Sequence, residues 1–138
     1  MAQATRLHFP RHQEANGNVY VYQCGQHVPF DVRRVFTVSA KEGDVRGEHA
    51  HKRCNQLLVC VTGEILVTCD DGSLTSEYLL NDMETGLLIP RGVWAKQEYL
   101  MNGTVLMVLC DRAYEAEDYI RDYHDFKAFS SNFNTAQD

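Results

Sequence analysis

The chain has 138 residues, 44% of them hydrophobic, which suffices for one buried core and leaves little room for a second. A formal net charge of -6 offers no basic face for nucleic acid, so an anionic ligand must be held by a local group of cations. No apolar run approaches the roughly 18 residues that span a bilayer and the first ten residues lack a signal-peptide core, so a soluble cytoplasmic protein with no membrane or nucleic-acid partner is expected.

Residues 1–17 are polar and irregular and read as an N-terminal arm. Gly17-Asn18 is a turn signal, and the Val-Tyr-Val-Tyr run after it predicts a first strand over 18–23. Arg33 to Val38 alternates as a second strand, and the loop from Ala40 to Gly47 leads into His49-Ala50-His51. Asn55 to Val61 is apolar on both faces, as in a strand buried on both sides. Thr62-Gly63 predicts a tight turn into a hairpin partner over 64–69, and Asp70-Asp71-Gly72 is a second hairpin signal. Short strands follow over 74–80, 86–89, 93–100 and 104–110, so the predicted class is all-β, an antiparallel sandwich or barrel. Tyr119, Ile120, Tyr123 and Phe126 then recur at helical steps and predict one or two short capping helices. The domain is expected over 18–129, with 130–138 as a flexible tail. The odd count of five cysteines, with no Cys-x-x-Cys pair, predicts reduced thiols; of these only Cys54 has cationic neighbours.

The chemistry concentrates between Gly43 and Gly63. In an extended strand His49 and His51 share a face about 6.6 Å apart, with Arg46 upstream and Lys52-Arg53 downstream. Gly43, His49-x-His51, Gln56 and Gly63 follow the spacing glycine, five residues, His-x-His, four residues, an oxygen ligand, six residues, glycine. That pattern resembles the first motif of the cupin (jelly-roll) barrel, and Pro90-Arg91-Gly92-Val93-Trp94-Ala95 resembles the second. Metal-binding cupins add a Glu and a further His as ligands, and here those places hold Gln56 and Ala95. A carboxamide and a methyl group do not replace them, so no metal and no cofactor are expected and the imidazoles are read as acid–base groups.

A narrower resemblance covers roughly residues 17–129. Arg33-Arg34-Val35, Arg46-Gly47-Glu48-His49-Ala50-His51-Lys52, Gln56 to Cys60, Asp70-Asp71-Gly72, Gly92-Val93-Trp94 and Asp118 to Tyr123 are similar to the dTDP-4-keto-6-deoxyhexose 3,4-ketoisomerases. The resemblance implies a metal-independent isomerase that turns dTDP-4-keto-6-deoxyglucose into a 3-keto sugar for bacterial surface glycans. His49 is then the proton shuttle, passing through an enediol, with His51 polarising the carbonyl or relaying a proton; spacing leaves open which imidazole is the base.

Arg46 is the candidate for the diphosphate. Arg91, Lys96 and Arg121 are weaker candidates, and Trp94 fits either a thymine or sugar platform or the core. Two places depart from the family. Phe36-Thr37 stands for a Tyr-Tyr pair and Ala95 for a His, with Thr37, Tyr99 or Tyr20 as candidate substitutes for the lost phenol and Gln56 beside the substrate. Those departures motivate a second reading, a catalytically silent cupin that binds a nucleotide sugar as sensor or subunit. The resemblance also implies a homodimer that exchanges N-terminal strands. The catalytic His-Asp arrangement of the related 3,5-epimerases is not apparent in the sequence.

Overall fold

The computed structural model describes residues 3–137. Twelve strands are followed or interrupted by little else: β1 Thr5–His8, β2 Arg11–Glu14, β3 Gly17–Tyr20, β4 Arg34–Ala40, β5 Val45–His51, β6 Gln56–Thr62, β7 Ile65–Asp70, β8 Thr75–Leu80, β9 Thr85–Ile89, β10 Trp94–Tyr99, β11 Thr104–Cys110 and β12 Tyr119–Ile120. A single 3-10 turn, Ala116–Asp118, precedes β12, and helix α1 spans Tyr123–Gln137. Two five-stranded sheets, β1-β9-β6-β11-β4 and β12-β5-β10-β7-β8, pack face to face, and β2-β3 forms a separate hairpin. Every pairing between these strands is antiparallel.

The apolar pattern decides the layering. Between the sheets lie Leu58 and Cys60 of β6, Ile65, Val67 and Cys69 of β7, Leu87, Tyr99 and Leu106, all buried. The other face of β6, Leu57 and Val59, is covered by Phe9, Val28, Tyr22 and Phe30, which explains why this strand is apolar throughout. The outer face of the second sheet is closed by α1, whose Phe126 packs on Ala50, Ile120 and Trp94. No described helix is long and apolar enough to cross a membrane.

Three expectations are corrected. Thr62-Gly63 does not close a hairpin: β6 pairs with β9 and β11, whereas β7 pairs with β10 and β8, so the chain crosses from one sheet to the other. Gly63 has φ +90° and sits so close to Thr104 that an added Cβ would lie 2.1 Å from its Oγ1. The stretch 1–17 contains β1, which pairs with β9, and most of the β2-β3 hairpin, so it is structured rather than irregular. Helix α1 runs through Gln137, into the stretch 130–138 read as a flexible tail; Asp138, like Met1 and Ala2, lies outside the described residues. The Asp70-Asp71-Gly72 hairpin between β7 and β8 forms as expected: Asp71 Oδ1 accepts the amides of Ser73 and Leu74, at 2.8 and 2.9 Å.

Candidate active site

Strand β5 carries the site, and it is irregular where the site begins. Ala95 of β10 lies opposite His49, but the next residue, Lys96, lies opposite Gly47, so Glu48 is an extra residue, a β-bulge. Gly47 (φ 87°) and Glu48 (φ 56°) both occupy the left-handed region. The consequence is a change of phase. Gln97 faces Arg46 and Ala95 faces His49, so Arg46 and His49, three apart, project from the same face. In an unbroken strand odd spacing would put them on opposite faces.

That face looks into a cavity of about 190 Å³ between the sheets. Its wall includes Arg34, Phe36 and Val38 of β4, Arg46 and His49 of β5, Gln56 of β6, Gln97 of β10, and Tyr119 and Arg121 beyond the 3-10 turn. Arg34, Arg46 and Arg121 form no ion pair among the described residues. Two of them rest on aromatic rings: the Arg34 guanidinium lies 4.4 Å from the Phe36 ring centre and that of Arg121 lies 4.3 Å from Tyr119. Three cations without carboxylate partners make this end of an acidic protein an anion site.

The two imidazoles sit edge to face, centroids 5.0 Å apart, with the Tyr119 ring against both at 5.0 and 4.4 Å. Burial pushes His49 down to about 4, the neighbouring His51 and Arg121 push the same way, and a backbone contact with Gly47 opposes them. His51 is also lowered by burial, partly offset by its hydrogen bond to Asp118 and that carboxylate's charge, while Arg121 and Arg34 lower it further. Both rings are therefore neutral near pH 7. His51 Nδ1 lies 2.8 Å from Asp118 Oδ2, and Asp118 Oδ1 accepts the Arg53 amide at 2.7 Å. A His-Asp pair is thus present, which the sequence reading did not bring together. It joins residues 67 positions apart, which no local spacing reveals.

The other predicted residues divide. Arg46, His49 and Gln56 line the cavity and His51 lies behind His49. Thr37 is exposed, on the face of β4 away from the cavity, because the strand alternates and Arg34, Phe36 and Val38 take the inner side. Tyr99 is wholly buried in the core; it reaches the site only through Gln97, whose Oε1 accepts its hydroxyl at 2.9 Å. Trp94 packs on Tyr123 and Phe126 of α1, at 5.3 and 5.5 Å, and is not part of the cavity wall. The Arg91 side chain contacts the Lys52 carbonyl at 3.5 Å, outside the cavity wall. Sequence reasoning missed Arg34, Gln97, Tyr119 and Asp118 as site residues. Arg34 was recoverable, since it shares the alternation phase of apolar Phe36 and Val38.

All five cysteines are free. Cys54 is held protonated by its hydrogen bond with Cys110 and by burial, which removes it as a nucleophile. His51, Cys54 and Asp118 place donor atoms within 4.8 Å of one another, the composition of a metal site. Both Asp118 oxygens in this cluster already accept hydrogen bonds, from His51 Nδ1 and the Arg53 amide.

Fold and site together define a cupin-type sandwich with one histidine on the wall of an arginine-lined cavity and a second packed against the first. The chain belongs to the family described as "FdtA: WxcM-like, C-terminal", whose model matches residues 2–131. It is 32% identical over 129 residues, 93% of each chain, to a TDP-4-oxo-6-deoxy-alpha-D-glucose-3,4-oxoisomerase from Aneurinibacillus thermoaerophilus. A 3,4-ketoisomerase from Helicobacter canadensis superimposes with TM-score 0.91 at 26% identity, covering 95% of this chain and 99% of that one. The 3,4-ketoisomerase QdtA from Thermoanaerobacterium thermosaccharolyticum, solved as a histidine-to-asparagine variant with TDP-4-keto-6-deoxyglucose, gives 0.90 at 26% identity and covers 94% of both chains.

Proposed function

We infer that this chain is a sugar 3,4-ketoisomerase that converts TDP-4-keto-6-deoxyglucose into a TDP-linked 3-keto-6-deoxyhexose. The observation that carries the reading is a pair of neutral imidazoles, His49 on the wall of a cavity with three unpaired arginines and His51 packed against His49. The relatives, which are named for this reaction, support it over a silent binding module.

Arg34, Arg46 and Arg121 hold the diphosphate and fix the sugar against His49. The proton on C3 is acidified by the C4 carbonyl. His49 removes it to leave an enediolate, the O3 hydroxyl proton passes to O4 with His51 as the relay, and the same imidazole returns its proton to C4 as the carbonyl settles at C3. A base near its ordinary 6.5 would be part-protonated at pH 7; desolvation keeps His49 available as the acceptor. The inner place on β4 belongs to Phe36, an apolar ring, so the phenol nearest the sugar is Tyr119. Gln56 and Gln97 supply hydrogen bonds to its hydroxyls.

The molecule works as a homodimer through residues 18–38, in the cytoplasm. In support, the β2-β3 hairpin pairs with neither large sheet, β4 is an open edge, and Val19 and Val35 are 47% and 55% exposed. The free thiols accord with a reducing compartment. Light scattering on the purified chain is expected to give the mass of two copies; a monomer contradicts the pairing. Incubation with TDP-4-keto-6-deoxyglucose, followed by carbon NMR, is expected to show the carbonyl at C3. Tight binding of TDP with an unaltered sugar at high enzyme concentration would sink the activity and leave only the binding site.

A further inference from the structure

Two buried ring nitrogens in this site have no hydrogen-bond partner among the described residues, Nδ1 of His49 and Nε2 of His51. On His51 the nitrogen left bare has a structural reason. The reason lies on the far side of His51. We propose that Asp118 is a positioning residue for the proton transfer: its carboxylate holds His51 in the Nδ1–H form and so leaves Nε2 as a bare acceptor beside His49. The proposal rests on the reading of the two histidines as the acid–base pair.

The local structure leaves Asp118 little freedom. It ends the 3-10 turn, its amide donates to the Glu115 carbonyl at 3.0 Å, and its own carbonyl accepts the Lys52 amide at 2.9 Å. Immediately afterwards Tyr119 pairs with His51 in the β12-β5 ladder. The main chain on either side of the His-Asp contact is therefore closed like a zip. Glu115 in the same turn pairs with Arg53 and Arg112 at the surface, whereas Asp118 is 3% exposed.

The carboxylate is also held ionised. Burial alone would raise it, but the hydrogen bonds from His51 Nδ1 and from the Arg53 and Cys54 amides bring it below the ordinary carboxylate value. The Arg53 guanidinium adds a cation, its Nε 3.7 Å from Oδ1. An ionised carboxylate only accepts. The nitrogen 2.8 Å from it must carry the hydrogen, and in a neutral ring the other nitrogen then has the lone pair. The groups facing His51 are His49 from its own strand, Cys54 from the turn after it, Asp118, Tyr119 and Arg121 from the β12 segment, and Arg34 from β4. Among these Asp118 is the one that strengthens His51 as a base; the arginines weaken it. His49 has no carboxylate partner and falls to about 4, so the two imidazoles differ in basicity by construction.

The test begins on the unmodified protein. Nitrogen-15 NMR of the imidazoles at pH 7.5, with His51 identified by its loss in His51→Gln, is expected to show a neutral ring protonated on Nδ1. A ring protonated on Nε2 overturns the proposal whether or not the protein turns over the sugar. Asp118→Asn is expected to lower kcat on the order of 10²–10⁴-fold, with KM little changed. The acid limb of its pH profile moves to lower pH, because the partner that raises His51 is gone. A variant that only loses thermal stability, with kcat and pH profile intact, assigns Asp118 a purely structural role and overturns the proposal. Failure of wild-type turnover alongside an Nδ1-protonated His51 would sink the ketoisomerase reading and leave the dyad standing.

Discussion

Strands β5 and β6 follow one another in the chain, are each seven residues long, lie in opposite sheets, and were built to different rules. β6 has its first five residues buried and two apolar layers to fill, and its own register shift, at Val61 against β11, falls at its far end, past those five core positions. β5 carries a bulge, two residues at positive φ and two imidazoles with unpaired buried nitrogens. β6 holds the sandwich together, and β5 tolerates strain and desolvated polar groups because its neighbours over-determine it. The contrast teaches where to look for function in this fold: at the strand that buries imidazoles where its neighbour buries apolar layers.

Substitutions on the two strands should therefore separate activity from stability. The largest effect is expected from His49→Asn, which removes the proton carrier and lowers turnover by about 10²–10⁴-fold while the melting temperature stays within a few degrees. Wild-type turnover in this variant would move the role to His51. Leu58→Ala on β6 does the reverse: a fully buried side chain leaves the core between the sheets, at a cost of about 2–5 kcal/mol in urea unfolding, with KM and kcat of the folded protein unchanged.

Gly47→Ala touches both properties, more mildly. An L residue at φ 87° costs about 1–2 kcal/mol, and its Cβ would sit 3.1 Å from the Ala95 carbonyl. If relief of that strain shifts the bulge, Arg46 and His49 lose their common face, and kcat/KM falls about tenfold, equivalent to roughly 1.4 kcal/mol.

A further effect is confined to acid stability. His49 takes its proton at about 4 in the folded chain instead of the ordinary 6.5, so between those values the unfolded chain binds more protons. Stability is unaffected by this group above pH 6.5 and falls as pH drops toward 4. Urea midpoints measured from pH 7 to 4.5 should fall more steeply for wild type than for His49→Gln; parallel curves would show that His49 is not desolvated.

How much of this was legible in the chain follows from the range of each signal. The double-sided apolar run of β6, the Asp-Gly hairpin and the His-x-His face depend on neighbours within a few residues, and the structure has them. Thr62-Gly63 misled because a tight reversal looks alike whether the next strand pairs back or crosses to the other sheet; what decides is Thr104, 41 positions beyond Gly63, packed against that glycine. The bulge at Glu48 is invisible to a count of alternating positions, so Arg46 was placed at the site by motif and only the register explains how it gets there. Trp94 was undecided in the sequence, which does not show the helix that covers it. Asp118 had no local signal at all, being joined to His51 by topology.

The central claim is that one desolvated imidazole, His49, carries a proton between two adjacent sugar carbons. Its most direct test is turnover of TDP-4-keto-6-deoxyglucose in deuterated water by the wild-type protein and by His49→Asn, read by proton NMR. The account predicts a 3-keto product with deuterium at C4 from the wild type, and neither isomerisation nor exchange from the variant. Deuterium incorporation by His49→Asn at the wild-type rate would contradict it.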